Sequence, residues 1–401
     1  SLYIGAEKVL LTDNKTTSEE GLILSPSLLQ AYGLSELVLG GRYGIDFIDS
    51  FNLSLESLVL QTPKLSGADG VTATINAVND VSLGNLSGVA VLGSNQGVLT
   101  NSTASLVLNA DKIEFIGGDM LFNGFDNVAM TGNRGVVSRR DSTLKFTDSD
   151  ATDLSVTMSA PVIYSASGVK TKIDATGYNL TILQSGTVAE EAALQSLGAS
   201  YQLTADNIEL DSQIYLPSGS IELQAEDSIN LTRNAVLDTS GSWTVFSQVG
   251  AATPGGSILL ESKSIDVQTG SIMSVAAAEE GGDAGRLSII SESDLALAGT
   301  IYGQSTTGRS GQFYLQADRN DSLQAGQGLW EKLNSGGFNE LVSMRVFNGD
   351  ITLSETDSIS AHSISLTADK GAIVLNTGSV LDASGQESGR IELWAANDVV
   401  L

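Results

Sequence analysis

The sequence predicts an all-β chain, a right-handed parallel β-helix (solenoid) with two short helical extrusions. One reason is a recurring phrase. A glycine opens a run that alternates apolar and polar residues, and a small residue closes it. It reads Gly219-Ser-Ile-Glu-Leu-Gln-Ala225, Gly256-Ser-Ile-Leu-Leu-Glu-Ser262, Gly285-Arg-Leu-Ser-Ile-Ile-Ser291, Gly311-Gln-Phe-Tyr-Leu-Gln-Ala317 and Gly389-Arg-Ile-Glu-Leu-Trp-Ala395. A second reason is a step of 21 to 25 residues from Leu37 to Leu58 to Val81 to Leu106. Short strands at such a period bury their apolar face only by stacking on their neighbours. A third is composition: 17% of the 401 residues are charged and 43 are glycine, a balance suited to turns and strands rather than surface helices.

The elements follow in order. Strand-like runs recur at Glu36–Leu39, Ser57–Leu60, Asp80–Leu83, Ser105–Leu108 and Lys112–Phe115. Corners rich in Gly or Asn separate them, as at Gly40-Gly41, Gly84-Asn85 and Gly117-Gly118. Inward Leu, Ile and Val of successive coils are expected to stack as ladders, with Ser, Thr, Asn, Glu and Lys outside. Later coils are longer and add a second phrase, Ala235-Val-Leu-Asp-Thr-Ser-Gly241 and Ser379-Val-Leu-Asp-Ala-Ser-Gly385, with a related Gly299-Thr-Ile-Tyr-Gly303. Here an apolar residue is expected to point inward and the glycine to supply a positive φ. Two segments break the pattern. Thr187 to Leu197 carries a Thr-x-x-Glu capping box, and Gly328-Leu-Trp-Glu-Lys-Leu333 reads as a short helix. The extrusions are placed near 186–200 and 324–341, on one β-helix spanning 1–401. The chain opens and closes in strand-like text, which reads as an interior piece of something longer, with an uncapped coil expected at each end.

Composition bounds the partners. With 47 acidic and 20 basic residues the net charge is −27. Nucleic acid needs clustered cations, so it is not expected as a partner. The one basic pair, Arg139-Arg140, reads as a solvated turn. Hydrophobic residues make up 41%, enough for a large core. The absence of cysteine excludes disulfides, thiolate metal sites and Cys nucleophiles. It also suits a chain that must cross an outer-membrane pore unfolded.

A search for chemistry assigns no catalytic, cofactor-binding or metal-ligating residue. The single histidine, His362, excludes a two-His metal site and reads as a surface residue. The acidic run Asp148-Ser-Asp150-Ala-Thr-Asp153 lacks calcium-loop spacing and reads as a polar turn. Gly117-Gly118-Asp119 stands alone, without the repeat that would make a calcium-binding roll. Phosphate-binding glycine loops are absent. Asn-x-Ser/Thr triplets at Asn14, Asn52, Asn85, Asn101, Asn179 and Asn230 are expected by chance in so Ser/Thr-rich a chain. Of Trp243, Trp330 and Trp394, Trp243 follows a Gly-containing turn and is the exposed candidate for stacking on a sugar; the alternative is a buried cap.

Taken in order, these phrases resemble the large exoproteins of the filamentous-haemagglutinin type, exported by two-partner secretion in Gram-negative bacteria. The resemblance rests on Leu34-Ser-Glu-Leu-Val-Leu39, Gly44-Ile-Asp-Phe47, Leu53-Ser-Leu-Glu-Ser-Leu-Val-Leu60 and Val81-Ser-Leu-Gly-Asn85. Asn348-Gly-Asp-Ile-Thr-Leu353 and His362-Ser-Ile-Ser-Leu-Thr-Ala368 continue it, with the Leu-Asp-Ala-Ser-Gly and Gly-Arg-Ile-Glu-Leu phrases. It covers nearly the whole chain. The family's amino-terminal secretion domain carries Asn-Pro-Asn turns; no Asn-Pro pair occurs here, so this segment is expected downstream of it.

The resemblance implies a secreted or outer-membrane-associated adhesin without enzyme activity. Its implied partners are an outer-membrane transporter, engaged through the upstream domain, and a cell-surface receptor or glycan. A non-binding stalk presenting a distal toxin or adhesin domain is the second reading. A polysaccharide-cleaving β-helix enzyme is the third. Such an enzyme needs two carboxylates across a cleft or a calcium cluster with a basic residue, and neither pattern is legible.

Overall fold

Alternating apolar residues become buried columns in parallel ladders. The computed structural model describes residues 1–14, 20–90, 103–147, 153–186, 196–246, 249–318, 328–384 and 388–401. The chain is mostly β-strand, with two short helices among these residues. It divides into two compact units, Ser1–Ser196 with Tyr201–Ile208, and Leu197–Ser200 with Glu209–Leu401.

In the first unit three columns run through parallel pairings. One is Leu37, Leu58, Val81, Ile113, Val136 and Ile163. Another is Leu53, Ile75, Leu108, Met130, Met158 and Ile182. The third is Ile45, Leu65, Phe122 and Phe146. All of these side chains are buried, each contributing roughly 1.5–3 kcal/mol by leaving water. Phe122 and Phe146 stack at 4.7 Å between ring centroids. The Tyr178 hydroxyl donates to the Phe125 carbonyl at 3.0 Å, so a buried phenol keeps a partner.

The expected succession Leu37, Leu58, Val81 holds, but its next member does not. Leu106 lies opposite Ala73, and Val81 meets Ile113. Both belong to one 20-residue strand, Ala104–Asn123. Its early part pairs with Thr72–Ala77, its middle with Asp80–Gly84 and its end with Lys64–Gly67. A simple period assumes one strand per ladder, whereas this strand bends through three. Gly117 and Gly118, at φ +119° and +84°, permit the corner.

The second unit repeats the arrangement. Its longest column is Ile221, Ile258, Leu287, Phe313, Val342, Ile364 and Ile391. Shorter ones are Ile229, Ile265, Leu295 and Ile214, Leu237, Met273, Ile301. The glycine that opens each phrase is explained by close approach. The Ser257 N–H donates to the Gly219 carbonyl and the Arg286 N–H to that of Gly256. A Cβ at Gly256 would stand 1.9 Å from the Gly219 oxygen, and one at Gly285 1.8 Å from the Gly256 oxygen. The positive φ expected in the second phrase is absent at Gly241 and Gly303. Crowding explains these too: a Cβ at Gly241 would meet the Thr253 oxygen at 2.1 Å.

Helix α1, Pro26–Ala31, was not anticipated. Ser25 caps it by accepting from the Leu28 N–H, and Pro26 opens it. Helix α2, Leu329–Gly336, falls within the expected extrusion at 324–341 and buries Leu329, Trp330 and Leu333. Of the helix expected over 187–197, within the extrusion at 186–200, residues 187–195 lie outside the described residues. A further departure is an antiparallel hairpin, Trp243–Phe246 with Val249–Ala252.

At the amino end Val9–Leu11 is already covered by the strand Leu22–Leu24. At the carboxyl end Ile391, Val399 and Val400 stand 44%, 42% and 49% exposed.

Candidate functional site

Inside the first unit, three hydroxyls meet. The Ser138 and Tyr201 hydroxyls lie 2.5 Å apart, and the Thr171 hydroxyl donates to Ser138 at 2.7 Å. All three residues are buried. Burial pushes the Tyr201 phenol up to about 12. With no access from solvent, this cluster serves the core rather than a ligand.

Among the described residues several outer amides pair with one another along the ladders. Asn109 donates to Asn76 and Asn76 to Asn52, each at 2.9 Å. Asn207 donates to Asn179 at 2.8 Å and Gln268 to Asn230 at 2.9 Å. Asn85 is buried, and its amide donates to the carbonyls of Val89 and Asp119. Of the triplets named above, Asn52, Asn85, Asn179 and Asn230 are therefore occupied by structural hydrogen bonds, and Asn101 lies outside the described residues.

One face differs. It is the outer side of the parallel strands Arg286–Ser291, Gln312–Ala317, Leu341–Val346, Ser363–Ala368 and Arg390–Ala395. Inward residues alternate with outward ones, so register assigns the outer columns. One is Ser288, Tyr314, Ser343, Ser365 and Glu392; its neighbour is Ile290, Gln316, Arg345, Thr367 and Trp394. The Arg286 guanidinium lies 4.7 Å from the Tyr314 ring centroid, and its Nε and Nη2 donate to Gln312 Oε1 at 3.3 and 3.1 Å. Arg345 is paired with Asp369 at 2.9 Å, and Arg390 with Glu392. The hydroxyls of Ser343, Ser365 and Thr367 make no hydrogen bond to another described residue.

The tryptophans separate clearly. Trp330 is buried in α2. Trp243 is 48% exposed, so the capping alternative fails; one side of its indole covers Gly250, where a Cβ would come within 2.0 Å. Trp394 is 65% exposed on the outer sheet face. Tyr314 and Arg286 were missed by sequence reasoning. The signal was their position in the Gly-opened phrase, where every second residue faces outward.

The remaining candidates carry little chemistry. His362 is half-buried and engaged through its backbone: its N–H donates to the Asn339 carbonyl and its carbonyl accepts from the Arg390 N–H. Of the run 148–153 only Asp153 is described, at φ 68°. No group of three metal-ligating side chains occurs among the described residues. Arg139 pairs with Glu114 at 2.6 Å instead of standing free in a turn. Beside it, desolvation and the charge of Glu114 hold the Asp80 carboxyl above its ordinary value. Two neighbouring carboxyls in unlike surroundings are the pattern of acid–base catalysis, but Glu114 is committed to Arg139.

Comparison with protein families, curated proteins and solved structures finds no match to this chain.

Proposed function

We propose that this chain is a right-handed parallel β-helical segment of a secreted or cell-surface adhesin of the filamentous-haemagglutinin type. The reading rests on the ordered phrases of the sequence. It is supported by parallel columns that return, in each unit, to the same ladders in the same order. Right-handedness is the rule for connections between parallel strands of one sheet. The observation that carries adhesion is the outer face bearing Tyr314 and Trp394, where, among the described residues, the hydroxyls of Ser343, Ser365 and Thr367 have no hydrogen-bond partner.

In this reading the chain reaches the surface of a Gram-negative cell through an outer-membrane transporter that recognises a domain upstream of this segment. Among the described residues no helix is long and apolar enough to cross a membrane. The test is binding of the purified, labelled chain to epithelial and bacterial cells. Saturable binding is expected. Inert behaviour would favour the second reading, a stalk that presents a distal toxin or adhesin domain. Release of sugars from a panel of polysaccharides, lost in Asp80→Asn, would replace both with the enzyme reading.

A further inference from the structure

We infer that the outer face between Tyr314 and Trp394 binds an oligosaccharide carrying a carboxylated sugar, with the acidic sugar at the Tyr314 end. The inference rests on the adhesin reading for its biological sense but on separate observations for its chemistry. Tyr314 and Trp394 lie on strands three positions apart, which at the usual strand separation is roughly 14 Å, or about three sugar rings. Between them the sheet presents the small hydroxylated side chains Ser343, Ser365 and Thr367, none hydrogen-bonded among the described residues, flanked by Arg345, which is held by Asp369. Small residues between two aromatic side chains leave a trough, and unpaired hydroxyls offer donors and acceptors to sugar hydroxyls.

Charge fixes the direction. Arg345 and Arg390 on this face are neutralised by Asp369 and Glu392. Among the described residues Arg286 meets the neutral Gln312 carbonyl and the Tyr314 ring, and no carboxylate. It is the guanidinium available for a two-point contact with a carboxylate. Arg286 reaches Tyr314 from the preceding strand, while the following strand sets only Ser343 next to it. That leaves the Ser343 side of Tyr314 for a sugar ring.

The experiment titrates the full chain with three probes: trigalacturonate, maltotriose and a sulfated heparin tetrasaccharide, followed by calorimetry and tryptophan fluorescence. Trigalacturonate is expected to bind most tightly, maltotriose at least tenfold more weakly, and the heparin fragment no better than maltotriose. Trp394→Ala and Tyr314→Ala should each weaken trigalacturonate at least tenfold, and Arg286→Gln should abolish the preference over maltotriose. Circular dichroism of each variant, with Trp243→Ala as a control outside the face, verifies folding. Absence of trigalacturonate binding, equal binding of the sulfated probe, or indifference to all three face variants would overturn the inference. Cell binding that survives Tyr314→Ala and Trp394→Ala together overturns the trough alone and leaves the adhesin reading standing. Trigalacturonate binding without cell binding does the reverse.

Discussion

Ser138 shows how this chain places hydroxyls inside a parallel core. Its side chain joins those of Thr171 and Tyr201, all buried. Ser138→Ala leaves two buried hydroxyls without that partner, and each stranded group costs about 1–3 kcal/mol. Urea unfolding should therefore show a large loss for Ser138→Ala and a smaller one, about 1 kcal/mol, for Tyr201→Phe. The phenol also makes stability depend on pH. Its folded pKa, pushed up to about 12 from 10, means that the folded state holds the proton more tightly. This contribution is complete below pH 10 and is lost as the pH rises towards 12. It amounts to roughly 2–3 kcal/mol. Alkaline unfolding of Tyr201→Phe should fall less steeply between pH 10 and 12; an identical fall would place the proton linkage elsewhere.

At the scale of the element, the stacked glycines limit how closely strands succeed one another. Gly256 touches the Gly219 carbonyl, and Gly285 touches that of Gly256. A methyl group there meets fixed backbone, so Gly256→Ala is expected to cost at least the 1–3 kcal/mol typical of overpacking. Gly168 provides the contrast: it has φ +71° and open space where a Cβ would stand. Gly168→Ala should cost only about 1–2 kcal/mol, from the left-handed conformation. Thermal denaturation should rank Gly256→Ala well below Gly168→Ala. The reverse order would mean that positive φ, not close approach, governs glycine placement in this chain.

At the scale of the whole molecule, charge is the dominant global property. An excess of 27 negative charges keeps copies apart at low salt, and this repulsion is largely screened beyond a Debye length of about 8 Å at physiological ionic strength. The acidic residues are spread along the chain, and no metal-ligating group of three occurs among the described residues. Millimolar Ca²⁺ at physiological salt should therefore leave the melting temperature unchanged. A ligand at 100 times its dissociation constant adds about 2.7 kcal/mol, so a real site gives a visible upward shift. A shift that disappears in Asp150→Asn would identify the run 148–153 as a calcium site.

By itself the sequence determined the strand class, the inward and outward sides of each phrase, and the helix at Leu329–Gly336. These follow from local periodicity, because side chains alternate with period two in a strand and apolar spacing marks a helix. Pairing partners were legible only where one short strand serves one ladder, as for Leu37, Leu58 and Val81. Where Ala104–Asn123 bends through three ladders, the partner of Val81 depended on backbone far from it in sequence. Helix α1 carried a local signal, Ser25-Pro26, but six residues give too little periodicity to stand out. The pairing of Trp243–Phe246 with Val249–Ala252, the placement of the Arg286 guanidinium over Tyr314 and beside Gln312, and the hydroxyls before Trp394 were decided by tertiary structure. Each depends on which distant strand lies alongside, and alternation within one strand carries no information about its neighbour.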